Sequence, residues 1–236
     1  MSSIKQNIEQ VISQIDLAAK KCGRDADSVQ LLAVSKTKPI AAIEEAIAAG
    51  HCAFGENYVQ EGVEKVQHFA VSHPNSALSW HFIGPIQSNK TRPIAEHFDW
   101  VHSIDRVKVA RRLSEQRPAG MAPLNVLLQV NTSGEASKSG LGFGDIAAVA
   151  DEIAAMPNLV LRGLMSIPQK ADNYDSQLLA FTRLAELQNN LKATHPQLDT
   201  LSMGMSGDLD AAIAAGSTIV RIGTAIFGAR DYSQQA

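Results

Sequence analysis

The hydrophobic positions at the start of the chain recur at helical spacing. Between Ser3 and Cys22 they fall at intervals of three and four residues, which predicts an amphipathic helix within residues 1–23. Ser3 and Gln6 suit a capping box at its start, and Gly23 suits its end. Because this helix precedes the first strand, we expect it to pack on the domain that follows.

Beyond Gly23 the pattern changes to short β-prone runs that alternate with helical stretches. The predicted strands are Leu31–Val34, Cys52–Phe54, Ser79–Ile83, Trp100–Ser103, Val126–Val130, Val160–Met165, Thr200–Ser202 and Thr218–Ile222. The predicted helices include Ile40–Ala49, Val107–Arg117, Ile146–Met156, Ser176–Leu191 and Leu209–Ala215.

About eight strand–helix units predict an α/β fold, a single (β/α)8 TIM barrel over residues 30–230. A doubly wound open sheet is the alternative, because it also alternates strands with helices. The strand count and the polar or glycine-rich groups after nearly every strand favour the barrel. No linker rich in Ser, Pro or Gly divides the chain, so we predict one domain for residues 1–236.

Composition narrows the possible functions. The net charge is −3 and no basic stripe with interleaved aromatics occurs, so nucleic acid is not an expected partner. No apolar run approaches the roughly 18 residues that span a bilayer, and the N-terminus lacks a signal-peptide core, which predicts a cytoplasmic location. Cys22 and Cys52 lack disulfide or metal-ligand spacing, and we expect them to be buried or half-buried. No metal site is predicted.

The segment LLAVSKTKP places two lysines after the first strand. If the strand extends that far, alternation puts Lys36 and Lys38 on one side, at the end of the barrel where such folds carry their chemistry. Partial burial lowers the pKa of an ammonium group, and the neutral amine forms a Schiff base with an aldehyde. From this strand alone, a solvated pair of lysines remains the alternative.

Two loops near the end of the chain suit an anion. TIM barrels often bind phosphate with the loops after strands seven and eight. Here Ser206 and Gly207 follow the seventh strand, and Gly223 and Thr224 follow the eighth. The hydroxyls and the accessible backbone of these residues predict a phosphate site.

Arg221 lies within the otherwise apolar eighth strand, beside the predicted phosphate site. A guanidinium held there needs a partner. One interpretation is an ion pair with a distant carboxylate. The other is a hydrogen bond to a ligand heteroatom, and a pyridine nitrogen facing arginine would stay unprotonated.

The middle of the chain offers weaker candidates. FGENYVQE places Asn57 after the second strand, and His81 lies inside the third, where a core role is the default. NTSGEASKSGLGF, after the fifth strand, is a long polar loop suited to a lid, and we expect its Lys138 to be solvated.

Taken in order, eight segments resemble the pyridoxal phosphate homeostasis (YggS/PROSC) family. They are LLAVSKTKP, FGENYVQE, WHFIGPIQSNK, HSIDR, LLQVN with the SKSG loop, RGLMSIP, LSMGMS and VRIGTAIFGARDY. The resemblance implies a barrel like the N-terminal domain of alanine racemase, which binds pyridoxal 5'-phosphate (PLP). It implies that Lys36 carries PLP as an internal aldimine, that Arg221 faces the pyridine nitrogen, that Ser206, Gly223 and Thr224 hold the phosphate, and that Asn57 and Met205 neighbour the ring.

Three functions compete. The first is an aldolase-like barrel, in which a lysine attacks a sugar carbonyl without a cofactor. Such an enzyme needs no arginine beside a heterocycle. A PLP-dependent racemase needs two bases on opposite faces of the substrate carbon; in alanine racemases the second is a tyrosine from another domain, and the tyrosines here are Tyr58, Tyr174 and Tyr232. The family has no established turnover and is associated with cellular PLP control. We therefore predict a non-enzymatic, monomeric PLP-binding protein, with apo PLP-dependent enzymes and weakly bound amino acids as partners.

Overall fold

Eight parallel strands form a closed barrel in chain order. The structure, a computed structural model, describes residues 3–133 and 139–229. The strands are β1 (Gln30–Val34), β2 (Ala53–Glu56), β3 (Ser79–Phe82), β4 (Trp100–Ile104), β5 (Leu124–Gln129), β6 (Leu159–Met165), β7 (Thr200–Ser202) and β8 (Ile219–Ile222). β8 pairs back onto β1, with Gln30 opposite Ile219 and Ala33 opposite Ile222. The predicted (β/α)8 barrel is therefore confirmed, and the open sheet is wrong.

Helices cover the outside of the barrel. They are α1 (Ile4–Lys21), α2 (Ile40–Ala48), α3 (Val59–Ser72), α4 (Thr91–His97), α5 (Val107–Gln116), α6 (Ile146–Ala154), α7 (Tyr174–Leu191), α8 (Leu209–Ala214) and α9 (Thr224–Phe227). Because the strands meet the barrel interior on one side and helices on the other, consecutive residues such as Leu32 and Ala33 are both buried. This accounts for apolar runs without strict alternation.

The N-terminal helix is capped as its sequence predicts. Ser3 Oγ accepts a hydrogen bond from the Gln6 backbone N–H, and Gln6 Oε1 accepts one from the Ser3 N–H. α1 packs against α8 and α9 and its Asn7 side chain donates to the Ile226 carbonyl oxygen, at 2.8 Å. The helix thus covers the side of the barrel near β8.

Some expectations need correction or lie outside the described ranges. Cys22 and Cys52 are exposed, not buried, because each lies at the edge of an element, after α1 and before β2. Lys138 and Tyr232 fall outside residues 3–133 and 139–229. Within those residues, no helix is long and apolar enough to span a membrane, and no cluster of His, Cys, Asp or Glu could hold a metal ion.

Candidate functional site

A cavity of about 310 Å³ lies at the carboxyl end of the barrel. Its volume is at the lower end of the roughly 300–1,000 Å³ usual for small-molecule sites. Side chains of Val34, Ile83 and Ile167 give it apolar walls. All seven residues predicted from the sequence line this one cavity: Lys36, Asn57, Met205, Ser206, Arg221, Gly223 and Thr224.

The two lysines reach the cavity from a turn and not from a strand. β1 ends at Val34, and the turn that follows is closed by a hydrogen bond from the Lys38 N–H to the Ser35 carbonyl oxygen, at 3.1 Å. Thr37 has a φ of 62°, in the left-handed region. Both Lys36 and Lys38 nevertheless line the cavity. Lys38 Nζ donates to the backbone carbonyls of residues 227–229, at 2.7–3.1 Å, and so ties this turn to the end of α9.

Arg221 is buried at the floor of the cavity, and its two hydrogen-bond partners are neutral. Nη1 donates to Ser202 Oγ at 2.7 Å, and Nη2 donates to the Ser166 carbonyl oxygen at 2.9 Å. The partners are not carboxylates, so the direct contacts do not support the ion-pair interpretation. Burial lowers the pKa of Arg221 to about 10, and nearby Asp208 opposes the shift. The guanidinium is therefore charged at neutral pH.

A chain of hydrogen bonds continues from Arg221 through the barrel interior. Ser202 Oγ lies 2.8 Å from His102 Nδ1, His102 Nε2 lies 2.9 Å from His81 Nδ1, and His81 Nε2 lies 2.9 Å from Ser79 Oγ. Both imidazoles are fully buried, which lowers the pKa of His81 to about 3 and that of His102 well below its ordinary value. Both rings are therefore neutral. His81 is a core histidine and does not line the cavity.

Arg221 sets the direction of this chain. A guanidinium only donates, so Ser202 Oγ accepts from Arg221, and its own hydrogen is available to His102 Nδ1. A neutral His102 then carries its proton on Nε2 and donates to His81 Nδ1. By the same logic His81 carries its proton on Nε2 and donates to Ser79. In this assignment every buried member of the chain is satisfied. The sequence did not single out His102 or Ser202.

The loops after β7 and β8 form the rim of the cavity. Asp208 Oδ1 accepts from the Met205 N–H at 2.6 Å and shapes the first loop, which leaves the Ser206 hydroxyl exposed at the rim. At Gly223 a Cβ atom would lie 3.2 Å from the Val34 carbonyl oxygen, tighter than an ordinary contact, so glycine allows the second loop to approach β1. Hydroxyls and backbone from both loops therefore converge on one side of the cavity.

Asn57 contributes a polar atom that no protein group satisfies. Its Oδ1 is buried and has no hydrogen-bond partner in the part of the chain that the structure describes. Its backbone packs against Gly84, where a Cβ atom would lie 2.1 Å from the Asn57 carbonyl oxygen. A buried acceptor without a partner is costly, and a ligand in the cavity would satisfy it.

Residues 6–231 match the family model described as alanine racemase, N-terminal domain. With the closed barrel and the cavity that contains Lys36 and Arg221, this match defines the class of protein, a barrel of the alanine racemase N-terminal type. Among curated relatives, the pyridoxal phosphate homeostasis protein of Vibrio cholerae is 66% identical over 236 residues, 100% of each chain. Its namesake from Escherichia coli K12 is 55% identical over 235 residues, also 100% of each. The chain belongs to the pyridoxal phosphate homeostasis protein family.

Solved structures agree with this assignment. PipY of Synechococcus elongatus, solved with PLP bound, superposes with a TM-score of 0.82 at 35% identity and covers 96% of this chain and 100% of its own. An alanine racemase from Corynebacterium glutamicum gives a TM-score of 0.68 at 16% identity, over 98% of this chain and 62% of the racemase. The likeness to the racemase is therefore one of fold.

Proposed function

We propose that this chain binds PLP in the cavity, with Lys36 as its covalent anchor, and serves PLP homeostasis. The observation that carries the proposal is the convergence of Lys36, Arg221 and the two hydroxyl-bearing loops on one cavity of ligand size. The names of the curated relatives and the PLP-bound structure of PipY support it. When bound, PLP supplies an aldehyde carbon to which a neutral lysine amine adds with loss of water, leaving a C=N bond.

The chemistry of the lining residues fits this ligand. Arg221 is a buried donor in a cavity that also has apolar walls, and it is suited to a pyridine nitrogen that it holds unprotonated. Ser206, Thr224 and the backbone at Gly223 are suited to the phosphate. Asn57 and Met205 neighbour the ring in this arrangement, and the free Asn57 Oδ1 accepts from a ligand group.

We further propose that the protein does not turn over amino acids. Racemisation needs a base on each face of the substrate carbon. Among the described residues that line the cavity, the titratable side chains are Lys36, Lys38 and Arg221. Arg221 does not give up its proton at neutral pH, and the N–H donors of Lys38 are engaged by three backbone carbonyls. Lys36 is thus the one suitable base among these three side chains, and it can serve only one face of the substrate carbon.

The wider role follows from reversible binding. In this proposal residues 1–236 act as one domain and as a monomer in the cytoplasm. Amino acids are weak ligands in this proposal, and apo PLP-dependent enzymes receive the cofactor. Light scattering after gel filtration tests the monomer, and transfer of PLP to an apo enzyme across a dialysis membrane tests free release against direct handover.

The central experiment locates the covalent link. The protein is loaded with PLP, reduced with borohydride, digested and mapped by mass spectrometry, beside Lys36→Ala and the control Lys90→Ala, which removes an exposed lysine lining the neighbouring depression. We expect the label on Lys36, its loss in Lys36→Ala and its retention in Lys90→Ala. A label mainly on Lys38 would overturn the anchor assignment.

Turnover is tested separately. The loaded protein is incubated with L-amino acids in deuterated water, and deuterium at Cα and product chirality are followed. Slow exchange with retained configuration agrees with one base on one face. Steady formation of the D-isomer that Lys36→Ala abolishes would refute the non-enzymatic role.

A further inference from the structure

A buried ion-pair cluster lies directly beneath the turn that carries Lys36. We call Ser35, Glu56, Glu61 and Lys65 the Lys65 cluster. Lys65, on α3, has a side chain only 5% exposed, and that of Glu56 is fully buried. Lys65 Nζ donates to Glu56 Oε1 at 2.8 Å, to Glu61 Oε1 at 2.6 Å and to the Ser35 carbonyl oxygen at 2.8 Å. All three of its protons are therefore used.

The Lys65 cluster forms hydrogen bonds to the residues on both sides of Lys36. Before it, the Ser35 carbonyl accepts from Lys65, and Ser35 Oγ donates to Glu56 Oε1 at 2.6 Å. After it, the Thr37 backbone N–H donates to Glu61 Oε1 at 2.6 Å. Lys36 is thus the residue between two anchored neighbours.

The turn itself needs such anchors. Thr37 is β-branched and has a φ of 62°, a conformation that such residues rarely adopt and that persists only when surrounding contacts impose it. Its Oγ1 is also buried without a hydrogen-bond partner in the described residues. The local backbone conformation is therefore unfavourable in isolation. The Glu61 contact to the Thr37 N–H opposes its relaxation, together with the Lys38 N–H to Ser35 carbonyl bond that closes the turn.

The position of α3 brings these groups together. At Gly62 a Cβ atom would lie 2.6 Å from the Phe98 ring and 3.1 Å from Glu56 Cβ. Glycine therefore lets the first turn of α3 approach β2 closely enough for Lys65 to reach Glu56. Removing the Glu56 carboxylate and the Lys65 ammonium from water is costly, and apolar residues would pack this space without that cost. Filling the space therefore does not explain the choice of charged groups, whereas hydrogen bonding to the backbone on both sides of Lys36 does.

We propose that Glu61 and Lys65 are positioning residues, which fix the turn from Ser35 to Thr37 and thereby direct Lys36 into the cavity. The inference deepens the proposed function and rests on it for the identity of the ligand. In the attachment step, Lys36 Nζ adds to the aldehyde carbon of PLP and one water leaves. A lysine misplaced by about 1 Å can slow such a step by up to ~10²-fold, although the noncovalent contacts of the ligand remain.

The test separates attachment from binding. Glu61→Ala removes the acceptor of the Thr37 N–H, and Glu64→Ala is the matched control, an exposed glutamate one turn on whose side chain pairs with Gln60. The rate of covalent attachment at saturating PLP is measured by stopped-flow absorbance. Affinity is measured with pyridoxine 5'-phosphate, which has no aldehyde. We expect Glu61→Ala to slow attachment about ten-fold or more with unchanged affinity for the analogue, and Glu64→Ala to match the parent.

A second readout needs no ligand. Hydrogen exchange of the Thr37 amide, followed by NMR in the cofactor-free protein, should accelerate in Glu61→Ala and not in Glu64→Ala. Glu61→Gln, which keeps an acceptor oxygen, should largely restore protection. If Glu61→Ala does not fold, Glu61→Asp keeps the charge but shortens the side chain, and should show the same changes to a smaller degree.

The outcomes distinguish this inference from the proposed function. Failure of the parent protein to attach PLP at Lys36 would refute the proposed function and, with it, the role in attachment. Normal attachment at Lys36 with an unchanged rate and a still protected Thr37 amide in the Glu61 variants would refute the positioning role alone. Equal losses of attachment rate and analogue affinity would also refute it, because they indicate general damage to the cavity.

Discussion

The buried pair His81 and His102 gives a quantitative test of the hydrogen-bond chain behind Arg221. Both rings have no solvent exposure, and each hydrogen-bonds to the other and to one serine. Substituting either histidine by leucine leaves at least one buried polar group without its hydrogen bond in a place that water does not reach. We therefore expect the two substitutions to be strongly coupled in their effect on the free energy of unfolding.

The size of this coupling depends on how many buried polar groups each variant leaves without a hydrogen-bond partner, which we call orphaned groups. A buried polar group that loses its partner costs about 1–3 kcal/mol. His102→Leu orphans two buried groups, the Ser202 hydroxyl hydrogen and His81 Nδ1. His81→Leu orphans one, His102 Nε2–H, because Ser79 is half-buried and reaches solvent. The double variant orphans only the Ser202 hydroxyl hydrogen. It should therefore be more stable than the sum of the single effects implies, by roughly 2–6 kcal/mol.

The assay is urea unfolding of the four proteins of this cycle at pH 7.5. His68→Leu, an exposed substitution on α3, combined with His102→Leu is the control pair and should be additive. Long-range proton–nitrogen spectra of the imidazoles provide the second measurement, and we expect His81 and His102 to be Nε2–H tautomers. Additivity of the two buried substitutions within about 0.5 kcal/mol, or an Nδ1–H tautomer at His102, would refute the hydrogen-bond directions assigned from Arg221 to Ser79.

Three further predictions concern pH, the anion end of the cavity and its wall. The unfolded state takes up protons on both histidines below about pH 6.5, whereas burial keeps the folded state from doing so. Stability should therefore fall as the pH drops below about 6.5, by up to about 1.4 kcal/mol per pH unit for each ring, and His102→Leu should flatten this slope in unfolding experiments. Ser206→Ala and Thr224→Val should each weaken PLP by about 1.5–3 kcal/mol and leave pyridoxal almost unchanged in equilibrium dialysis; equal weakening of both ligands would contradict a phosphate site. Gly84→Ala should lower the melting temperature and PLP affinity because its Cβ would meet the Asn57 carbonyl, whereas Gly144→Ala, where a Cβ meets nothing within 4 Å, should not.

The fold followed from the sequence because barrel strands leave a strong pattern. Short apolar runs, each bounded by glycine or polar residues, correspond closely to β1–β8. The helices α3, α4 and α9 are not among those that the sequence pattern predicts. The rule that parallel strands direct the residues that follow them to one face accounts for Lys36, Ser206, Gly223 and Thr224 at one cavity, whereas only the family resemblance indicates Met205.

The two supporting networks could not be predicted in the same way. His102 and Ser202 are separated by 100 positions, on β4 and β7, and they meet only because the barrel brings these two strands to face each other across its interior. Lys65, in a helix rich in polar residues, would ordinarily be placed in solvent. Its burial depends on the close approach of α3 at Gly62, which the sequence pattern does not specify.

The Lys65 cluster and the hydrogen-bond chain behind Arg221 also differ in whether the positive charge of their basic residue is neutralised. Lys65 is matched by two carboxylates, so the cluster beneath Lys36 carries no free positive charge. Arg221 bonds only to neutral oxygens, and its charge stays available to the cavity. Among the described residues that line the cavity, the ionisable ones are Lys36, Lys38 and Arg221, which are all basic, and none is acidic. A chain with a net charge of −3 therefore presents a cationic site, and the local field, more than the overall charge, favours an anionic phosphorylated aldehyde.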